Sequence, residues 1–333
     1  KKAGCPVIPG SNGVITEGQE ALRQAKAMGF PVFIKAAAGG GGKGIRIAGT
    51  EEEFPRLFAA ARAEAEVNFS NPDVYLEKMI EGPRHIEIQI LGDQHGHYVH
   101  LGERDCTTQR RRQKLIEESP SPVLNDRTRK KMGQAAIDVV QAAGYWSAGT
   151  VEFLLDPEGN FYFMEVNTRI QVEHTVTEEL MGVDLVVEQI KIARGERLSL
   201  RQKDLHPRGH VIQCRINAED PAHQFTPSPG KLEYYLPPGG PHVRVDSACY
   251  SGYTIPPYYD SMIAKLIVRG RTREEAIAIL KRALAEFHIG GVHSTIPFHR
   301  YMMEDPAFLK GTFDLTYIDQ LVAQGCTFQL DES

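Results

Sequence analysis

Two carboxylates and one amide lie on a predicted β-hairpin, in the stretch GTVEFLLDPEGNFYFMEVNTR. Glu152 interrupts the first apolar strand and Glu165 the second, so strand pairing brings them within about one position of each other. Asn167 shares a face with Glu165, because side chains in a strand repeat every two residues. A half-buried carboxylate needs a cation, and these oxygen ligands suit a Mg²⁺ ion that carries nucleotide phosphates. An ordinary solvated hairpin face is the alternative, and the presence of both glutamates favours the metal site.

A glycine-rich segment, AAAGGGGKG, follows a predicted buried strand at positions 31–35. Glycine exposes backbone N–H groups and lets the chain approach phosphate oxygens closely. The segment is not a Walker-type loop, because no Ser or Thr follows Lys43. A flexible surface loop is the alternative for a run of glycines, whereas Lys35 at the strand end favours a hinged lid over phosphates.

Charged residues also cluster in a basic run, QRRRQK, and in two motifs, NTRIQVEH and CRINAED. The basic run, which ends in Lys114, is typical of a surface loop, and the net charge of −5 argues against nucleic-acid binding. Taken alone, Arg169 and Glu173 are compatible with a simple ion pair. Arg215, which has apolar neighbours, is compatible with a buried structural arginine.

Mixed short strands and helices surround these motifs and indicate α+β layers rather than a doubly wound sheet. One predicted strand alternates strictly and places Ile86, Ile88 and Ile90 on one face. Thr272 and Glu275 form a helix-capping signal. Near residue 205 the sequence changes to predicted short strands and the Pro- and Gly-containing segments TPSPG and LPPGG, which predicts a domain boundary there. Strands are expected at residues 74–77 and 85–90, and helices at 125–143 and 178–194.

Composition places the chain among ordinary globular proteins, with 333 residues, 41% hydrophobic and 24% charged. The five cysteines are scattered and odd in number, which indicates reduced thiols in a cytosolic-type protein rather than disulfides or a zinc site. No apolar run approaches the ~20 residues of a membrane span. We therefore expect a cytoplasmic protein without a nucleic-acid or membrane partner.

Six motifs resemble, in order and spacing, the biotin carboxylase component of biotin-dependent carboxylases. They are EKMIEGPRHIEIQILGD, ERDCTTQRRRQKLIEESP, MEVNTRIQVEH, CRINAED, TPSPGKL and GYTIPPYYDSMIAKLI. The similarity extends over essentially the whole chain. It implies an α+β, ATP-grasp fold in which a small lid domain and a larger domain sandwich the nucleotide. The implied divisions are residues 1–79 for the lid domain with its preceding segment, 80–205 for the large domain and 206–333 for a biotin carboxylase C-terminal domain.

The resemblance implies a ligase that uses ATP and bicarbonate to carboxylate biotin on a carrier protein, by way of carboxyphosphate. This is the first half-reaction of a biotin-dependent carboxylase, with acetyl-CoA carboxylase of fatty acid synthesis favoured over pyruvate or another acyl-CoA carboxylase. Mg²⁺ or Mn²⁺, a biotin carboxyl carrier protein or domain, a carboxyltransferase component and a homodimer are also implied. Another ATP-grasp ligase and a non-catalytic nucleotide-binding module are the alternatives, but neither has a use for the RIQVEH and CRINAED pair.

By motif, the resemblance also assigns roles to individual residues. Those implied for ATP are Lys35, Gly39, Gly40, Gly41, Gly42, Lys43, Gly44, Glu77, Lys78, His85, Gln109 and Leu154. The implied metal ligands are Glu152, Glu165 and Asn167, and the implied bicarbonate site comprises Lys114, Arg169, Gln171 and the Val172 backbone. Glu173 would deprotonate bicarbonate, and Arg215 would stabilise the biotin enolate.

The sequence departs from the family pattern at three points. Arg112 stands where the family commonly has His beside the nucleotide. The turn between Glu152 and Glu165 is about one residue longer than in many members, a change expected to affect only the loop. Lys1 is not an initiator Met, so we expect the family's N-terminal domain, with another lysine used on ATP, to lie upstream.

Overall fold

The computed structural model of the chain describes residues 1–38 and 44–329, and its contacts divide into two compact units. One unit comprises Pro6–Glu81, and the other combines Lys1–Cys5 with Gly82–Ser333. The three-part division at residues 79 and 205 stays a prediction.

The smaller unit is a three-stranded antiparallel sheet with two helices. Alternate residues of its central strand, Val32 and Ile34, are fully buried and pack in one core with Phe54. The unit's strands run in the order β2-β1-β3. Its elements are α1 (Gly18–Met28), β1 (Val32–Ala36), β2 (Ile45–Ala48), α2 (Phe54–Phe69) and β3 (Val74–Lys78).

In the larger unit the strands up to residue 217 are seven to thirteen residues long, and all but one of the strands after it have two to five residues. Its strands are β4 (Arg84–Gly92), β5 (Tyr98–Arg110), β6 (Gln113–Ser119), β7 (Ser147–Leu155), β8 (Phe161–Asn167), β9 (His210–Asn217), β10 (Glu219–Asp220), β11 (Thr226–Pro227), β12 (Gly230–Lys231), β13 (Tyr234–Leu236), β14 (Val243–Ser247), β15 (Thr254–Ile255), β16 (Met262–Gly270) and β17 (His288–Gly290). Its helices are α3 (Asp126–Ala142), α4 (His174–Met181), α5 (Leu185–Ala193), α6 (Arg273–Glu286), α7 (Ile296–Met302), α8 (Pro306–Lys310) and α9 (Tyr317–Ala323). Among the helices of the described residues, none has the length and apolar character needed to cross a bilayer.

An eight-stranded antiparallel sheet organises this unit, in the order β14-β16-β9-β6-β5-β4-β7-β8. The pairing of β6 with β9 carries the sheet across position 205 without interruption. On β4, the alternation places Ile86 and Ile88 in a core with Met132 of α3. Glu87 and Gln89 therefore point to the opposite face, which is where the polar side chains collect.

Helix boundaries follow the capping chemistry of the sequence. Helix α3 begins after Asn125, whose side chain accepts a hydrogen bond from the Thr128 N–H at 2.8 Å, so this helix prediction is confirmed. The Thr272 hydroxyl likewise accepts from the Glu275 N–H at 3.2 Å at the start of α6, as predicted.

The single helix expected at 178–194 is wrong. The segment forms α4 and α5, which are separated at Gly182, a residue with φ +68°. A left-handed glycine ends a helix by satisfying its last carbonyl groups, and the Gly182 N–H donates to Glu178 O at 2.8 Å. The Asp184 carboxylate then accepts from the Val187 N–H at 2.8 Å and starts α5.

Candidate active site

A row of charged residues crosses four neighbouring strands of the large sheet. Strand register places Arg104 opposite Glu87, Glu87 opposite Glu152, and Glu152 opposite Glu165. Directly opposed side chains lie on the same face of a sheet, about 4.5–5.5 Å apart at Cβ. Register alone therefore brings charged groups from β5, β4, β7 and β8 together.

The hairpin side chains expected to bind a metal converge. The Asn167 amide nitrogen lies 3.0 Å from Glu152 Oε1 and 3.4 Å from Glu165 Oε1. Burial would raise the pKa of Glu152, but His85, Lys114 and Gln171 hold it below its usual range. Two carboxylates and an amide, whose oxygen and nitrogen exchange places by rotation, fit a hard cation such as Mg²⁺.

A second group, comprising His85, Glu87 and Glu152, has ligand atoms that all lie within 4.8 Å of one another. Glu87, however, is fully buried and already accepts hydrogen bonds from Arg104 Nε and Lys114 Nζ, both at 2.5 Å. Because two cations already neutralise this carboxylate, a third is disfavoured there.

Lys114 is enclosed by three carboxylates. Its ammonium group donates to Glu87 Oε2 at 2.5 Å, to Glu173 Oε1 at 2.6 Å and to Glu152 Oε1 at 3.1 Å. Burial alone would lower the pKa of Lys114, but Glu87, Glu173 and Glu152 together raise it above its ordinary value. The ammonium group is thus a permanent positive charge among the predicted metal, base and bicarbonate residues.

Glu173 lies between two cations at the start of α4. Its Oε1 faces Lys114, and its Oε2 accepts from Arg215 Nη2 at 2.9 Å. Arg215 Nε donates to Glu117 Oε1 at 2.6 Å, so one guanidinium bridges two buried carboxylates. Burial would lower the pKa of the Arg215 guanidinium, but Glu117 and Glu173 raise it. The structure thus brings together the proposed base, the enolate-stabilising arginine and Lys114.

The remaining bicarbonate residues lie on the segment between β8 and α4. Gln171 is buried, and its amide nitrogen donates to Glu152 Oε1 at 2.9 Å. The Val172 carbonyl accepts from Lys265 Nζ at 3.4 Å. Arg169 is exposed and donates to the Ile170 carbonyl at 3.2 Å and to Asn167 Oδ1 at 3.4 Å, so it does not form the ion pair with Glu173 considered above.

Three residues expected near the adenosine cluster beside the hairpin. The Gln109 amide nitrogen lies 3.0 Å from His85 Nδ1 and 2.7 Å from the Cys106 carbonyl. His85 Nε2 lies 3.2 Å from Glu152 Oε2, and Leu154 lies opposite His85 in the register of β4 and β7. The imidazole therefore lies between an amide and a carboxylate.

The other nucleotide residues belong to the smaller unit. The Lys35 ammonium forms an ion pair with Glu77, across the β1–β3 pairing. Lys78 Nζ donates to the Gly29 and Phe30 carbonyls at 2.9 and 3.0 Å. Residues 39–43 of the predicted lid lie outside the described residues. Gly44 directly precedes β2, with φ +72° and its carbonyl accepting from the Ala36 N–H.

Three buried charges of this site were missed by the sequence reasoning: Glu87, Arg104 and Glu117. The available signal was the alternation in HIEIQIL, where His85, Glu87 and Gln89 share the face opposite the isoleucines. Arg112, expected at the place of a family histidine, is exposed in the β5–β6 turn with φ +67°.

Comparisons with known proteins cover nearly all of the chain and agree on one family. Residues 1–201 match the family model "Carbamoyl-phosphate synthase L chain, ATP binding domain", and residues 213–320 match "Biotin carboxylase C-terminal domain". The biotin carboxylase of Nostoc sp. is 57% identical over 321 residues, covering 96% of this chain and 72% of the relative. A pyruvate carboxylase subunit from Methanothermobacter thermautotrophicus is 52% identical over 96% of this chain and 65% of its own length.

A solved structure shares the fold. The biotin carboxylase domain dimer of 2-oxoglutarate carboxylase from Hydrogenobacter thermophilus, in complex with MgADP, ADP and bicarbonate, has a TM-score of 0.87 and 49% identity. The similarity covers 99% of this chain and 72% of that one. The ATP-grasp fold with a biotin carboxylase C-terminal domain is confirmed, and the chain belongs to the biotin carboxylase family of ligases.

Proposed function

We propose that this biotin carboxylase performs the first half-reaction of acetyl-CoA carboxylase, the ATP- and bicarbonate-dependent carboxylation of biotin on a carrier protein. One observation carries the half-reaction: Glu173 lies between Lys114 and Arg215, at 2.6 and 2.9 Å. ATP binding alone would use neither this carboxylate nor this guanidinium. The Nostoc relative named biotin carboxylase is 57% identical and the pyruvate carboxylase subunit 52% identical, so the acceptor is decided by the experiment below.

Glu173 is the proposed base. Bicarbonate must lose its remaining proton as one of its oxygens attacks the γ-phosphorus of ATP and ADP leaves. A carboxylate within hydrogen-bond reach can take that proton. Lys114, Arg169, Gln171 and the Val172 backbone are the proposed bicarbonate ligands, and an anion beside Lys114 would compete with the carboxylates that now surround its ammonium group.

Arg215 is the proposed donor to biotin. Carboxyphosphate breaks down to CO₂ and phosphate, the phosphate takes the ureido proton of biotin, and negative charge develops on the biotin oxygen as its nitrogen attacks CO₂. A guanidinium that is already oriented stabilises such charge without reorganising. Arg215 contacts Glu117 through Nε, so its Nη2 group is available to a ligand that displaces Glu173.

The metal site and the nucleotide residues complete the proposal. Glu152, Glu165 and Asn167 would hold Mg²⁺ or Mn²⁺, which neutralises phosphate charge when bound with the nucleotide. His85, Gln109 and Leu154 are proposed to face the adenosine. Lys35, Gly44, Glu77 and Lys78, together with residues 39–43, are proposed nucleotide residues on the strength of the family motif.

The proposed partners follow from the half-reaction. A biotin carboxyl carrier protein or domain brings the biotin, and a carboxyltransferase component uses the product. The Hydrogenobacter relative, described as a dimer, supports a homodimer. A cytoplasmic location is proposed from the scattered thiols.

The test measures ATP cleavage by the intact enzyme with and without bicarbonate, and with free biotin added. We expect cleavage to require bicarbonate and carboxybiotin to accumulate. Cleavage that ignores bicarbonate would point to another ATP-grasp reaction, and nucleotide binding without cleavage to a non-catalytic module. Adding the purified carrier and carboxyltransferase components of acetyl-CoA carboxylase or pyruvate carboxylase then identifies the acceptor.

A further inference from the structure

Arg104 of β5 is fully buried and uses all of its N–H groups in hydrogen bonds to side chains. Its Nε donates to Glu87 Oε1 at 2.5 Å. Its Nη1 donates to Gln89 Oε1 at 2.7 Å and to Thr177 Oγ1 at 2.8 Å. Its Nη2 donates to Thr150 Oγ1 at 3.1 Å and to Gln171 Oε1 at 3.2 Å. A planar guanidinium offers five N–H donors in a fixed geometry, and here each one has an acceptor.

These acceptors belong to four separate parts of the larger unit. Glu87 and Gln89 lie on β4, Thr150 on β7 and Thr177 on α4, while Gln171 lies in the segment between β8 and α4. The Arg104 side chain of β5 therefore connects strands β4 and β7 to α4, the helix that begins after Glu173.

Two of the contacts lead directly into the proposed bicarbonate site. Gln171 accepts from Arg104 with its oxygen and donates to Glu152 with its nitrogen, so both ends of the amide are occupied. Glu87 accepts from Arg104 with Oε1 and from Lys114 with Oε2. Arg104 itself contacts neither Lys114 nor Glu173 through a hydrogen bond among the described residues.

Lysine could not replace this arrangement. An ammonium group has three donors on a flexible stem, and the acceptors around Arg104 are spread over a plane. Burial would lower the pKa of the Arg104 guanidinium, but Glu87 and Glu173 raise it, so the group keeps its charge.

We propose that Arg104 is a positioning residue for bicarbonate, which fixes the amide of Gln171 directly and the ammonium group of Lys114 through Glu87. The proposal rests on the proposed function, because it assigns Gln171 and Lys114 to bicarbonate. Loss of the fork allows Gln171 to rotate away from Glu152 and Lys114 to follow Glu87. Bicarbonate binding is thereby weakened, while the nucleotide contacts are left in place.

The experiment compares Arg104→Lys with Arg84→Lys in the intact enzyme. Arg84 is a matched control because it is also buried, donates twice to Asp105, and bonds the Gly311 and Phe313 carbonyls away from the site. We expect Arg104→Lys to raise the KM for bicarbonate roughly 10- to 100-fold, the scale of a misplaced substrate contact, with the KM for ATP within about twofold. Arg84→Lys should lower the melting temperature without separating the two KM values.

A double variant tests whether Arg104 acts through Gln171. Adding Arg104→Lys to Gln171→Ala should raise the bicarbonate KM less than Arg104→Lys does alone, because the route through Gln171 is already lost and only the route through Glu87 and Lys114 remains. If Arg104→Lys does not fold, Thr177→Val removes a single acceptor and should show a smaller shift in the same direction. Equal effects on the two KM values, or additive effects in the double variant, would overturn the inference. If the wild type itself shows no bicarbonate-dependent cleavage, the proposed function fails instead.

Discussion

At the residue scale, Glu173 is a buried carboxylate that lies between two cationic side chains at the start of α4. Its oxygens face Lys114 and Arg215, and each of these cations is anchored by another buried carboxylate, Glu87 or Glu117. The charges alternate along the chain of contacts, which offsets part of the cost of burying each one. Removing one of these charged side chains leaves its neighbours buried with one partner fewer, which destabilises them.

We predict that Glu173→Gln abolishes bicarbonate-dependent turnover while nucleotide affinity stays within a few-fold of wild type. The amide is nearly isosteric but cannot accept the proton, and a positioned base contributes ~10²–10⁴ in rate. The measurements are steady-state ATP cleavage and nucleotide binding. Glu188→Gln is the control, because Glu188 is a buried carboxylate paired with Lys191 at 2.7 Å on α5. Near-normal turnover in Glu173→Gln would remove Glu173 from the role of base.

For Arg215 we predict that the lysine substitution separates two activities. Bicarbonate-dependent ATP cleavage should largely survive, whereas carboxybiotin formation should fall ~10²-fold, the scale of losing one oriented donor. Lysine keeps the charge but not the planar fork that reaches both Glu117 and Glu173. Both activities are measured in parallel on protein of unchanged melting temperature. A matched loss of both would indicate a purely structural arginine.

The sequence predicted the residues proposed to contact the substrates, but it did not predict the buried arginine that connects them. Glu152, Lys114, Glu173 and Arg215 stand in motifs that resemble a family, and the structure brings them together. Arg104 was missed because a single arginine in a strand has no sequence signal for the helix that covers it. Burial of that face depends on α4, which follows some 70 residues later.

At the element scale, the hairpin and the capped helices were predictable because their signals are local. The turn at DPEGN and the apolar strands on either side predicted that Glu152 and Glu165 lie within about one position of each other, and the register pairs them directly. The sheet order was not predictable in the same way. Strand β6 pairs with β9, and the contact of Glu117 with Arg215 joins residues 98 positions apart.

Gly182 provides a test of the break between α4 and α5. Its φ of +68° lies in the left-handed region, which costs about 1–2 kcal/mol for a residue with a Cβ. We predict that Gly182→Ala lowers the free energy of unfolding by about 1 kcal/mol, measured by urea denaturation. Gly239→Ala is the control, because Gly239 has ordinary φ and nothing within 4 Å of an added Cβ. Equal free energies of unfolding for Gly182→Ala and Gly239→Ala would contradict the prediction and show that the backbone at position 182 adopts another conformation at no cost.

At the scale of the whole molecule, Glu118 joins the sheet to the helices on its other face. It accepts from His210 of β9 at 2.8 Å and from Arg273 of α6 at 2.7 and 3.1 Å. Arg273 also donates to the Phe308 and Leu309 carbonyls, at 2.9 and 2.7 Å. Burial would raise the pKa of Glu118, but His210 and Arg273 lower it to about 2.

This lowered pKa predicts a defined acid response. The unfolded-state pKa of a glutamate is about 4.3, and above it a carboxyl group with a depressed folded-state pKa contributes its full stabilisation to the fold. This contribution is lost as the pH falls towards the folded-state pKa of about 2. Glu118→Gln should therefore destabilise the protein at pH 7, and the difference from wild type should shrink by about 2 kcal/mol between pH 6 and pH 3. Urea unfolding of both proteins across this range provides the measurement. A constant difference would mean that Glu118 does not titrate differently on unfolding.

The long-range pairing of β6 with β9 also has a consequence for the nascent chain. About 90 residues separate the two strands, so at ~5–20 residues per second the ribosome needs roughly 5–20 s to supply the partner. Throughout that interval β6 is a sheet edge with unpaired backbone groups, a template for pairing with other chains. Its sequence QKLIEES carries Lys114, Glu117 and Glu118, and charges on an edge strand discourage such pairing. We therefore expect Glu117 and Glu118 to discourage aggregation of the unfinished polypeptide before their partners Arg215 and His210 of β9 are synthesised.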